Sequence, residues 1–329
     1  MEESEAESAP DCDALSWPRR ARYGRTPGEA PIPGTRPGGI DRVARERDRA
    51  FERGQVPGDE TEPTRGPAYG GPPRSVVVLL PALNEAMAVG SVIGRIPMER
   101  LRRSGYDVRV WVVDGQSTDA TLQIAREHGA STYVQAGAGK GNGIRQALDH
   151  LIEAPREANA AGRQLFVMLD ADGSYPPEEI PKFLEALESG SDVVVGSRFL
   201  GHMDDGAISS LNRVGNRLLS RLAGLLFGLP VSDVCTGMWA FREDCLRRFG
   251  LGANAFDLEA DLFAASCEVG ARLKELPIDY ACRIGEPKLV PLRTGLLIAW
   301  RLIARRLNQP GNAASHPPTS KAYFGGETT

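Results

Sequence analysis

A chain of 329 residues, 41% of them hydrophobic, carries enough apolar mass for a sizeable core, in one large domain or two small ones. Its 39 Lys and Arg against 43 Asp and Glu leave a formal charge of −4, which argues against nucleic acid as a partner. Five cysteines without a CxxC pair and four scattered histidines argue against a disulfide framework or a zinc site, so a reducing, cytoplasmic setting is the default.

The opening run MEESEAES is acidic with no apolar stretch behind it, unlike a secretory signal. Residues 1–74 hold 11 Pro and 10 Gly but only six Leu, Ile, Val or Phe, too few to offset the entropy of ordering, which predicts a disordered tail. Residues 309–329 read as a second tail. Between them, 75–308 is the folded region. Its longest nearly apolar stretch, 222–231, has 10 residues, where a membrane span needs about 20.

The folded region opens with SVVVLL (75–80), a continuous apolar run of the kind that forms a strand buried on both faces. A helical stretch at roughly 86–104 precedes the strand VRVWVV (108–113). A helix near 119–128, the strand STYVQ (131–135) and a helix over 141–153 follow. QLFVML (164–169), a helix at 177–189 and DVVVG (192–196) continue the alternation, which predicts an α/β fold with a parallel sheet flanked by helices. Ligands bind such sheets at the carboxyl ends of the strands. Small polar clusters stand there: PALNE (81–85), DGQSTD (114–119) and DADGSY (170–175).

Asp170 and Asp172 carry the strongest chemical signal. Two carboxylates at i and i+2 on extended backbone point to the same side and suit a hard cation, Mg²⁺ or Mn²⁺. Ser174 can add a hydroxyl. A turn with a helix start explains Gly173 and Pro176-Pro177, but not two acids directly after a buried strand. Asp114, after the second strand, can accept hydrogen bonds from a base or ribose. Asn84-Glu85 can be capping residues or nucleotide contacts, and Ser117-Thr118-Asp119 is a helix-start signature. GAGKGNG (137–143) fits neither the Walker nor the dinucleotide loop and leaves Lys140 as a phosphate or base contact. Arg198 follows the strand DVVVG at the same edge. Asp233 lies in VSDVCTGMWAFR. The acids Asp257, Glu259 and Asp261 are accounted for at least in part by favourable charge at a helix N-terminus. Arg283 and Lys288 form a basic pair in RIGEPK.

In this order, PALNE, VVDGQSTD, GKGN, LDADGSYPP, GSRF, NRVGN, SDVCTGMWAFR, FDLEADL and RIGEPKL resemble the family 2 glycosyltransferases of the GT-A fold, nearest to the dolichyl- and polyprenyl-phosphate hexose synthases. The resemblance covers about residues 75–290. It implies nucleotide contacts from Pro81, Leu83, Glu85, Val113 and Asp114. It implies that Asp170, Ala171, Asp172 and Ser174 surround the metal and diphosphate, and that Arg198, Arg283 and Lys288 bind phosphates. Ser174 stands where the mannose synthases have Gln, and RIGEPK is one residue shorter than their pattern.

The implied reaction moves a hexose from a nucleotide diphosphate sugar to a polyprenyl phosphate, with inversion. A phosphate acceptor is largely ionised at pH 7, so Asp233 would serve positioning rather than proton transfer. A soluble small-molecule acceptor is the alternative. Strand–DADGS also resembles the haloacid dehalogenase phosphatase nucleophile, but three strand–helix units precede it and no GDxxxD partner follows. A non-catalytic nucleotide-sugar binding module is the third reading, and both metal carboxylates argue against it. LRTGLLIAWRLIARRL (292–307) carries four arginines and no acid among its apolar residues. As a helix of about 24 Å it either covers the sheet or lies in the cytoplasmic membrane face as a peripheral anchor.

Overall fold

Strand β1 (Arg74–Ala82) shows why the apolar runs become the middle of the sheet. Val76, Val78 and Leu80 enter one hydrophobic cluster, while Val77 and Leu79 enter another on the opposite face. A strand with a core on each side must be apolar at every position. The computed structural model describes residues 74–153, 164–285 and 291–308. Residues 1–73, 309–329 and Lys288 lie outside them. Arg74, assigned to the tail by composition, opens β1.

The chain continues through α1 (Val89–Gly94), α2 (Met98–Arg103), β2 (Tyr106–Asp114), α3 (Thr121–Glu127), β3 (Ser131–Val134), α4 (Lys140–Glu153) and β4 (Leu165–Met168). After β4 come a 3₁₀ turn (Pro177–Glu179), α5 (Ile180–Glu188), β5 (Val193–Ser197), α6 (Ser210–Phe227) and β6 (Trp239–Arg242). The remaining elements are α7 (Glu243–Leu246), α8 (Leu258–Glu268), β7 (Leu273–Pro277) and α9 (Pro291–Asn308). The single helix expected over 86–104 is two. Pro97 separates them, because its ring removes a backbone donor and pushes the preceding residue out of helical geometry.

The described residues form a seven-stranded sheet in the order β3-β2-β1-β4-β6-β5-β7. All neighbours are parallel except β6, which is antiparallel to both β4 and β5. The sheet is therefore mostly parallel. β6 and β7 are not among the strands expected from sequence. One core, under α1, α2, α3 and α5, gathers Val92, Leu101, Ala125 and Phe183; the other, under α4, α6, α8 and α9, gathers Leu148, Ala223, Phe263 and Leu302. No helix among the described residues is long and apolar enough to cross a membrane.

Helix α9 packs on α6 and α8 through Thr294, Ile298 and Leu302, one i, i+4 stripe. Arg301 and Arg305 extend that inner stripe. Arg301 donates to Asp257 at 2.7 Å, and Arg305 to Asp261 at 2.6 Å and Glu268 at 2.8 Å. These two arginines are ion-paired with α8 and its approach, so they are not part of the outward face expected of an interfacial helix.

Candidate active site

The carboxyl ends of β1, β2, β4 and β5 meet the start of antiparallel β6, so loops from five strands share one edge of the sheet. In register, Pro81 stands beside Val113 and Ala82 beside Asp114. The loop after β1 is fastened to the loop after β2. Asn84 adopts φ 50° and its Oδ1 accepts from the Thr118 amide at 2.8 Å, while Glu85 N donates to Thr121 Oγ1 at 2.8 Å. Asp119 accepts from Thr121 N at 3.0 Å and Ala86 N at 3.1 Å, joining the start of α3 to the same loop. Leu83 projects from it, 40% exposed.

Asp114 is fully buried. Its Oδ2 accepts from the amides of Gln116 and Ser117 at 3.0 Å, and its Oδ1 has no hydrogen-bond partner among the described residues. An unsatisfied buried carboxylate oxygen is costly, and a ligand hydroxyl or base N–H would relieve it. Val113 and Ala171 are buried in the two cores, so their backbones rather than their side chains face this edge.

Asp170 and Asp172 follow β4. Asp172 Oδ1 accepts from Ser174 N at 3.0 Å and Ser174 Oγ at 2.5 Å, and its Oδ2 from Arg283 at 2.5 Å. The Ser174 hydroxyl, fully buried, is thus directed at Asp172. Arg283 is delivered by backbone pairing, because Ala281 N donates to Ser174 O at 3.0 Å and Ile284 N to Asp172 O at 2.8 Å. The buried Nε of Arg283 has no partner among the described residues. Burial works against the charged guanidinium, but Asp172 and the nearby charges of Glu85 and Asp170 outweigh it and raise its pKa.

Asp170 Oδ1 lies 2.5 Å from Lys140 Nζ, which lies 2.5 Å from Glu259 Oε1 as well. Burial disfavours the ammonium, yet the two carboxylates hold its pKa above the ordinary lysine value. Burial raises the Glu259 carboxyl, which Lys140 pulls back only in part. The glycines around Lys140 are explained by close backbone approach rather than by phosphate. A Cβ on Gly139 would lie 2.0 Å from Asn254 O, and one on Gly141 2.7 Å from Ala253 O. Gly237 has the same role on the other flank, since a Cβ there would lie 2.4 Å from Asp170 Oδ2. Gly237→Ala should therefore turn Asp170 aside. The expected result is a loss of about 10–100-fold in turnover, because a misplacement of about 1 Å has that effect. Initial rates beside a thermal melt check it, and wild-type turnover would refute it.

Arg198 and Asp233 meet each other. Arg198 donates to Asp233 through Nε at 2.7 Å, NH2 at 2.8 Å and its amide at 3.1 Å, in a pair that is 6% and 0% exposed. The guanidinium lies 5.2 Å from the Tyr280 ring centre, and Tyr280 packs edge-on against Tyr175 at 5.0 Å. Tyr175 in turn accepts the Gly237 amide at 2.6 Å. The pair is therefore linked to the wall behind Asp170. Sequence reasoning did not single out Tyr175, Gly237 or Tyr280, and it accounted for Glu259 at least in part as helix-end charge. Burial between distant segments defines all four.

The sequence matches Glycosyl transferase family 2 over residues 77–250. It is 33% identical over 241 residues to the glycosyltransferase AglJ of Haloferax volcanii, covering 72% of this chain and 74% of that one. It is 34% identical over 228 residues to the dolichyl-phosphate hexose transferase of the same organism, with 69% and 92% covered. Among solved structures, glucosyl-3-phosphoglycerate synthase from Mycobacterium tuberculosis, in complex with Mn²⁺, uridine diphosphate and glucosyl-3-phosphoglycerate, superposes with a TM-score of 0.53. Identity there is 20%, over 70% of this chain and 80% of that one, which speaks for the fold alone: GT-A.

Proposed function

Because the chain belongs to glycosyl transferase family 2, we propose that this glycosyltransferase moves a hexose from a UDP- or GDP-sugar to a polyprenyl or dolichyl phosphate, with inversion. The observation that carries the donor half is the pair Asp170 and Asp172 at one sheet edge, each met by a basic side chain, Lys140 or Arg283, at 2.5 Å. The name of the Haloferax dolichyl-phosphate hexose transferase, at 34% identity, supports the lipid-phosphate acceptor.

The donor set fits a divalent cation. It offers two hard carboxylates two residues apart, and a cationic nitrogen already stands against an oxygen of each. Mg²⁺ or Mn²⁺ held by Asp170 and Asp172, with Ser174 orienting the latter, would offset charge building on the leaving diphosphate. The chain's own groups do the rest. Asp114 and the 81–85 loop hold the nucleoside, with the free Asp114 oxygen toward it. Lys140, Arg283 and Lys288 supply fixed positive charge to the diphosphate. Asp233 has both oxygens on Arg198 and acts by positioning, since a phosphate acceptor with a second pKa of about 6 needs no base.

Reaching a lipid acceptor requires a membrane face. Nine of the fourteen large apolar side chains exposed among the described residues lie on α6 and α9, including Leu211, Leu218, Leu225, Leu296, Trp300 and Leu307. Apart from Arg301 and Arg305, which are ion-paired inward, these two packed helices carry five arginines and no acid. An exposed apolar surface with only basic charge complements an anionic bilayer. The protein should pellet with phosphatidylglycerol vesicles and should stay in solution when Leu218, Leu225, Leu296 and Trp300 are all replaced by Glu. In the same vesicles, label from a panel of sugar nucleotides should enter the organic phase. If the wild type remains in the supernatant and glycosylates only water-soluble acceptors, the lipid acceptor is wrong while the glycosyltransferase remains.

A further inference from the structure

Lys140 sits where a cation bound to Asp170 would compete with it. Its ammonium is 2.5 Å from Asp170 Oδ1, and Asp170 Oδ2 is backed by Gly237, against which not even a Cβ would fit. A second carboxylate, Glu259, holds the same ammonium at 2.5 Å from the far side. The placement of this trio is built into the fold. Gly141 N and Asn142 N donate to Ala255 O and Asn254 O at 3.1 Å, so one backbone contact fixes both the start of α4, which carries Lys140, and the approach to α8, which carries Glu259. The Lys140 and Glu259 side chains are 13% and 9% exposed, whereas that of Asp170 is 28% exposed. Asp170 is thus the member open to a ligand.

Resting on the metal-dependent reading above, we propose that Lys140 is a resident counter-ion that occupies Asp170 until a divalent cation and a nucleoside diphosphate arrive together, and that Glu259 is the positioning residue that retains it afterwards. A lysine salt bridge and a divalent cation on one carboxylate oppose each other by like charge. The cation alone therefore gains little, because it must move an ammonium with nowhere to go but Glu259. A diphosphate changes the balance. Its negative oxygens take up the displaced ammonium, while the second bond to Glu259 keeps Lys140 in place for them. The arrangement makes metal and nucleotide binding mutually dependent and leaves Asp170 paired between turnovers. Glu259 acts through Lys140 and touches neither the sugar nor the cation.

The test measures Mn²⁺ binding by the electron-spin signal of the free ion, with Mn²⁺ alone and with Mn²⁺ plus UDP or GDP. Wild type should bind Mn²⁺ weakly alone and more tightly with the diphosphate. The double variant Lys140→Met/Glu259→Gln removes the two most buried charges together and leaves only Asp170, the most exposed of the three, without its ammonium. It should bind Mn²⁺ alone about tenfold more tightly than wild type, within the usual range of coupled sites, and gain less from the diphosphate. Glu259→Gln by itself should weaken binding of Mn²⁺ alone, because Lys140 then rests on Asp170 undivided. Unchanged or weaker binding by the double variant, with wild-type binding intact, overturns the counter-ion role and leaves the metal reading standing. Weaker binding there would mark Glu259 as a ligand itself. If no variant binds Mn²⁺ in either condition, the metal reading fails and takes this proposal with it.

Discussion

Asp172→Asn should lower hexose transfer at least about a thousandfold, because it removes one of two carboxylates from a site whose main work is electrostatic. Asn keeps the shape and an acceptor for Ser174, so secondary structure and melting temperature should stay near wild type. What is lost is charge. With its one oxygen kept for Ser174, Asn turns an amide NH2 toward Arg283 and accepts nothing from it, and a divalent cation has only Asp170 to hold. Initial rates with labelled donor, set beside a thermal melt, separate this from misfolding. Excess EDTA should abolish wild-type transfer to the same extent. Full activity in EDTA would remove the metal from the mechanism, and release of inorganic phosphate from simple phosphomonoesters would favour a phosphatase instead.

Asp233→Ala should act first on stability. It leaves the Arg198 guanidinium, 6% exposed, without its carboxylate, and breaking such a pair on one side costs about 3–5 kcal/mol. For a domain of this size that is a fall of roughly 10 °C in melting temperature. Arg198→Met/Asp233→Leu removes both charges and should recover most of that loss, since a buried ion pair contributes little against an apolar pair of similar volume. If the double variant is stable but inactive, the pair positions the acceptor end of the site through Tyr280. If it is stable and fully active, Asp233 and Arg198 have no part in the reaction. A melting point for Asp233→Ala equal to wild type would refute the buried-pair argument.

Strands β1 and β4 were legible because each is flanked by a core on both faces, which forces an unbroken apolar run that composition alone exposes. Strand β6 was not. WAFR is four residues long, and its place between β4 and β5 is decided by pairing with segments far away in the chain. The pair Asp170 and Asp172 could be read for a similar local reason, being two acids directly after a buried strand. Glu259 could not, because its partner Lys140 is 119 residues away and a helix start already gives an acid a reason to be there. Arg283 illustrates the same limit. Spacing within RIGEPK weakened its claim, whereas the backbone bonds of Ala281 and Ile284 to the DADGS turn bring it to Asp172. Proline marked the break at Pro97, yet the apolar period on either side of it read as one helix.

The late arrival of β6 has a consequence in time. A ribosome that has just finished β4 must add about 70 more residues before β6 is complete, a delay of a few to about fifteen seconds at ordinary synthesis rates. Until then β4 is an unpaired edge, and β5, though already made, has neither of its neighbours, β6 and β7. Exposed apolar edges of this kind invite association between nascent chains. Asp170 and Asp172 are present throughout that interval, but Gly237, Glu259 and Arg283 are not yet there to wall, charge and orient them. A partly synthesised chain therefore carries the acids without the site. The surroundings of the two acids are thus completed only when the last third of the chain has closed the sheet.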